Sequence, residues 1–213
     1  MLSVDDIPDE FRGHRIEEGP RTHRFAAGLL ANLSAKHGYS GTQAGHRIVQ
    51  AGFHLRYSGV GARMYDQAPS LSVAFEDDAQ FVYLSGFQLT VVSAAASIDL
   101  CAAALAALAG RTQREPDLRE VATTRAVLDS LTPAQQRWVV ETHGSAHVDR
   151  LIDVRNALVH RHVPLSVMIG ESAAYTVRVG GREEAVDPSH ARHLAVDRFV
   201  ALGLLILDEL ASD

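Results

Sequence analysis

A chain of 213 residues with a formal net charge of -6 and a pI near 6.0 excludes a protein that coats nucleic acid by bulk attraction, since that needs a broad basic field. Any nucleic-acid contact must be local. The length suits one domain with an extension or two small ones. The single cysteine, Cys101, excludes a disulfide framework and, inside SIDLCAAALAALAG, reads as a small buried hydrophobe.

The start, MLSVDDIPDEFRGHRIEEGP, is acidic and lacks an apolar h-region, so neither secretion nor membrane anchoring is expected and a reducing cytoplasm is. In RTHRFAAGLLANLSAKHG the apolar positions Phe25, Leu29, Leu30 and Leu33 recur at helical spacing and stop at the glycine after Lys36 and His37. GTQAGHRIVQAGFHLRYSGVGARMYDQ is a second helical candidate. Gly45, Gly52, Gly59 and Gly61 inside it each cost about 1 kcal/mol relative to Ala, so a kink or break near Ser58 is expected.

Pro69 and Ser70 suggest a break, after which Phe75, Phe81, Leu84, Phe87, Val91 and Val92 lead into the Ala-rich run that ends at Gly110. This should be the longest helix. It is long enough to span a bilayer, but Gln88, Ser93, Ser97 and Asp99 lie within it, so a buried helix of a soluble protein is the reading. Arg111 to Asp117 forms a polar connector, and DLREVATTRAVLDSL predicts a short helix. Thr132 and Pro133 are an N-cap and a first helical position for TPAQQRWVVETHG, which Gly144 closes. Trp138, beside Val139 and Val140, reads as core, and Tyr57, Tyr65 and Tyr83 as scattered, so no aromatic platform for single strands is predicted.

VDRLIDVRNALVHRHV, residues 148–163, predicts the next helix, halted by Pro164. AYTVRVGGREEAV then alternates Tyr175, Val177 and Val179 before Gly180 and Gly181, which predicts a β-hairpin over about 174–186. Asp187 and Pro188 cap and open a final helix through SHARHLAVDRFVALGLLILDELAS. The expected class is mainly α with one small β element. Residues 1–70 read as a helical N-terminal extension to a domain over 71–213.

On a helical wheel the 148–163 stretch gathers Asp149, Asp153, Asn156 and His160 on one face and Val148, Leu151, Ile152, Leu158 and Val159 on the other. Arg155 falls inside the apolar stripe. A guanidinium there must find a carboxylate such as Asp99, a route to solvent or a subunit interface, because an unpaired buried charge is very costly. His160 on its own reads as a solvated histidine favoured by the helix C-terminus.

RNALVH, Arg155 to His160, resembles the signature of HEPN domains: an Arg, then a small polar residue, then a His after four to six residues. Arg155, Asn156 and His160 match it, and His162 fits its looser form. The resemblance covers roughly Ser70 to Asp213 and implies an antiparallel helical bundle, with the hairpin as an insertion before the last helix. It also implies a homodimer that joins two motif helices around a composite cleft, with Arg155 at the seam, and a metal-independent endoribonuclease without a cofactor. Arg155 would stabilise charge on the phosphorane, His160 would act as general acid or base and Asn156 would position the phosphate or the imidazole. RNA is then the substrate and an antitoxin or other regulatory protein a further partner, in a toxin–antitoxin or defence setting; no membrane partner is expected.

Two other readings compete. His160, His162, His190 and His193 would make a metal site if they converged, but eleven histidines make accidental pairs common and no third clear ligand accompanies them, so no metal residue is assigned. Asp149 and Asp153 read as salt-bridge partners of Arg150 and Arg155 rather than as cation ligands. The runner-up to the ribonuclease is a non-catalytic HEPN-like dimer that binds a partner protein, nucleotide or RNA, which the acidic balance favours.

Overall fold

A computed structural model describes residues 20–71, 76–111, 115–160, 165–169, 172–179 and 182–212. Its elements in chain order are α1 (Pro20–Leu71), α2 (Glu76–Leu108), α3 (Leu118–Thr123), α4 (Arg125–Leu128), α5 (Pro133–His143), α6 (Ala146–His160), β1 (Leu165–Ile169), β2 (Ser172–Val179), β3 (Arg182–Ala185) and α7 (Pro188–Ala211). The chain is mainly helical. It forms two compact units, one from Met1–His54, Ala96–Ser145 and Asp197–Asp213, the other from Leu55–Ala95 and Ala146–Val196.

α1 is helical throughout except at Gly38, whose φ of 57° and ψ of -129° lie in territory that only glycine enters cheaply. The chain doubles back there. A Cβ on Gly45 would lie 2.6 Å from the Cα of Leu30, whereas fifteen residues of straight helix would separate the two by about 22 Å. The expected break near Ser58 does not occur. Ser58 is fully buried within continuous helix, which runs on past Pro69 to Leu71; the stretch of α1 after Gly38, residues 39–71, equals the 33 residues of α2 in length. Tertiary packing overrides the glycine penalties, because glycines in this helix are points of close approach; Gly61 meets Gly86 of α2, both in the second unit.

In the first unit Phe25, Leu29 and Leu33 of α1, Ile98 and Leu105 of α2 and Phe199 of α7 are buried, with Phe25 and Phe199 edge to face at 6.2 Å. The apolar window in Phe81–Leu108 is long enough to cross a membrane, yet 72% of it is buried inside the chain, as in a core helix. Cys101 is wholly enclosed. Burial, and then the nearby Asp99 charge, push its thiol pKa far up, so it is inert packing rather than a nucleophile. α2 ends in a paired glycine cap: Gly110 N–H donates to the Ala107 carbonyl and Arg111 N–H to that of Ala106, both at 2.9 Å.

The predicted helix over 117–131 is two short pieces, α3 and α4, separated by Thr124 in extended backbone. α5 opens on a full capping box. Thr132 Oγ1 accepts from Gln135 N–H at 3.2 Å, and Gln135 Oε1 accepts from Thr132 N–H at 3.3 Å. The Glu209 carboxylate of α7 takes further hydrogen bonds from Thr132 Oγ1 and, at 2.7 Å, from Gln135 Nε2. Thr132→Ala therefore loses a cap and an anchor together, and should lower stability by about 1–2 kcal/mol in urea unfolding at unchanged m.

His54, half-buried on α1, has its pKa lowered by desolvation. Its folded pKa lies below the unfolded value of 6.5, so it leaves stability intact above that value and subtracts from it as pH falls and the unfolded chain takes up the proton first. Urea midpoints between about pH 7.5 and about pH 5.5 should fall more for the parent chain than for His54→Gln.

Residues 165–185 carry a three-stranded antiparallel sheet in the order β1-β2-β3. Leu165 pairs with Thr176 and Ile169 with Ser172, while Thr176 pairs with Ala185 and Val179 with Arg182. β1 has no counterpart in the sequence reading, which starts its β element at about residue 174; LSVMI is too short and too uniformly apolar to declare a period. Gly180 and Gly181 lie outside the described residues.

Candidate functional site

The motif helix, α6, follows directly on α5. Gly144 and Ser145 separate the two in sequence, with Gly144 N–H donating to the Val140 carbonyl at 2.8 Å, and Asp149 places an acid in the first turn of α6, where the helix dipole favours it. β2 packs against α6 in the second unit, and Val177 of β2 is buried.

Val148, Leu151 and Ile152 are buried as the wheel predicts, but Leu158 is half-buried and Val159 is 54% exposed. Val154 and Ala157, outside the predicted stripe, are buried instead. The covered side of the helix therefore shifts along its length. At about 100° per residue Val148 and Ile152 lie on the same side as Arg155 and Val159, whereas Ala157 points nearly the opposite way. A single stripe assumes one neighbour for the whole helix. Near its C-terminal end, the side bearing Arg155 and Val159 is the less covered one.

Arg155 is half-buried with its Nε shut off from solvent. Together with Asp149, Arg150 and Asp153, it is engaged by neighbouring groups. Asp99, the partner that sequence suggested for it, accepts the Leu118 N–H at 3.0 Å and so fastens the start of α3. Asn156 is half-buried, and its amide has no hydrogen-bond partner among the described residues. His160 is the last residue of α6, one turn after Asn156; its side chain, with His162 and Pro164, lies outside what the structure describes.

Trp138 is core as read, 5% exposed, with its Nε1 donating to the Arg198 carbonyl at 3.2 Å. The tyrosines are less scattered than their positions suggest. Tyr65 and Tyr83 stack with centroids 4.0 Å apart, and Phe87 lies 6.4 Å from Tyr65, because the close helix approach at Gly61 and Gly86 brings them together. Among the described residues no group of three or more His, Cys, Asp or Glu side chains is placed to hold a metal ion. His190 lies against His147.

No protein-family model matches this chain, and no curated protein or solved structure matches it significantly.

Proposed function

We propose that this chain is a metal-independent endoribonuclease of HEPN type, a cytoplasmic homodimer that cuts RNA in a cleft shared by two copies of α6. The reading starts from the RNALVH motif. One observation carries it further: half-buried Arg155 shares its side of the helix with Val159, a valine left 54% exposed one turn on. An apolar side chain beside a partly covered cation is what a second α6 would bury, and it would bring two arginines to one seam. The bundle would be HEPN-like, with the sheet inserted before α7.

In this mechanism a ribose 2′-oxygen attacks the adjacent phosphorus as the bond from phosphorus to the 5′-oxygen breaks, leaving a cyclic phosphate and a free 5′-hydroxyl. One His160 takes the 2′-hydroxyl proton and the partner copy's imidazole supplies the proton to the departing oxygen. Arg155 meets the charge that builds on the phosphorane with a planar fork of donors. Asn156, whose amide is uncommitted among the described residues, holds a phosphate oxygen or the imidazole. Such an enzyme requires restraint in its own cell, which fits a toxin–antitoxin or defence setting with a cognate antitoxin.

The alternative, a non-catalytic HEPN-like dimer that binds a protein, nucleotide or RNA, is favoured by the net charge of -6. Cleavage of labelled single-stranded RNA and tRNA in EDTA separates the two. Cyclic phosphate ends that vanish in His160→Ala support the enzyme, and an uncut substrate bound by the purified dimer supports the binding module.

A further inference from the structure

His147, in the first turn of α6, and His190, in the first turn of α7, are 43 positions apart in sequence, yet their rings lie with centroids 5.1 Å apart and planes at 72°. Both belong to the second unit and both side chains are exposed. Neither imidazole has another partner among the described residues. We infer that this pair is a chelate for one late first-row divalent cation, Zn²⁺ or Cu²⁺, that ties the start of α6 to the start of α7.

The spacing is that of shared coordination. Two imidazole nitrogens at about 2.0–2.1 Å from one tetrahedral ion place their ring centroids about 5 Å apart. Exposure leaves the rings free to turn their nitrogens inwards and leaves room for waters in the remaining positions. The positive ends of two helix dipoles oppose a cation here, and two carboxylates offset them: Asp149 in the first turn of α6, and Asp187, which accepts the Ser189 N–H at 2.9 Å at the start of α7. Along α6 the pair stands about 12 Å from Arg155, so the inference does not rest on the ribonuclease reading, whose chemistry uses no metal.

The test uses the full chain, stripped with EDTA and exchanged into chelator-free buffer, then titrated with Zn²⁺ by calorimetry and melted with and without the ion. The expected result is one Zn²⁺ per chain and a rise in Tm of several degrees on addition of Zn²⁺. His147→Ala and His190→Ala should each weaken binding by at least about tenfold and abolish the rise, while His193→Ala, the other histidine of HARH, keeps both. Parent-like binding in either single variant would overturn the chelate, as would an equal loss in His193→Ala, half an ion per chain, or no binding. Circular dichroism of each variant without metal guards against reading misfolding as lost ligation.

Discussion

Arg155→Ala and His160→Ala are expected to keep the helical far-ultraviolet spectrum of the parent and to lose RNA cleavage by factors on the order of 10²–10⁴ each. Arg155 is only half-buried and His160 closes its helix, so truncating either removes little core. Because the two act on one transition state, the double variant should be scarcely worse than the weaker single one. Arg155→Lys discriminates further. It keeps the positive charge and loses the fork, so a charge-only role would be rescued and a bidentate role would not. Size-exclusion chromatography with light scattering on the same proteins reads the seam. Val159→Asp should shift a dimer towards monomer and take cleavage with it, and a monomeric parent that still cuts would sink the composite cleft.

Gly86→Ala should be the most damaging single-methyl change in the second unit. The new Cβ would stand 2.5 Å from the Tyr65 nitrogen and 2.7 Å from the Gly61 oxygen, both backbone atoms that no rotamer change can move aside. Thr90 Oγ1 donates to the Gly86 carbonyl at 2.7 Å within α2 itself, and a Cβ on Gly61 of α1 would stand 2.6 Å from the Thr90 nitrogen, so the approach is as tight from the other side. The helices must separate, and the Tyr65–Tyr83 stack loosens with them. Alanine is the better helix former by about 1 kcal/mol, so local propensity predicts stabilisation and packing predicts the reverse. We expect packing to win by about 3 kcal/mol net, a fall of roughly 6–12 °C in Tm for a chain of this size. A Tm at or above that of the parent would show that the helices do not meet so closely.

The same glycines mark the limit of what the sequence discloses. Read locally, Gly45, Gly59 and Gly61 weaken a helix and suggest a break near Ser58; in the folded chain Gly45 and Gly61 are close approaches and the helix is unbroken. The motif helix was legible from its apolar spacing, and Arg155 stood out in it as a misfit. That Val159 is open and Val154 and Ala157 are covered was not, because a wheel knows one helix and not the several neighbours that cover it along its length. Nor could sequence bring His147 to His190, or Tyr65 to Tyr83, since ring contacts between residues far apart follow from the path of the chain.

By itself the sequence determined what short-range forces decide: the mainly helical class, the cap at Thr132, the stops at Gly110 and Gly144, the core role of Trp138 and the inert Cys101. Each is set by a few adjacent residues, through backbone hydrogen bonds at helix ends or through apolar periodicity. The sequence also placed the helix end at Gly38; only the tertiary structure decided that α1 packs back on itself there, how closely α1 and α2 approach in the second unit, that Leu165–Ile169 joins the sheet, and which side of α6 is left open near Arg155. Those are long-range outcomes, fixed by which surfaces exclude water together, and a one-dimensional pattern does not contain them.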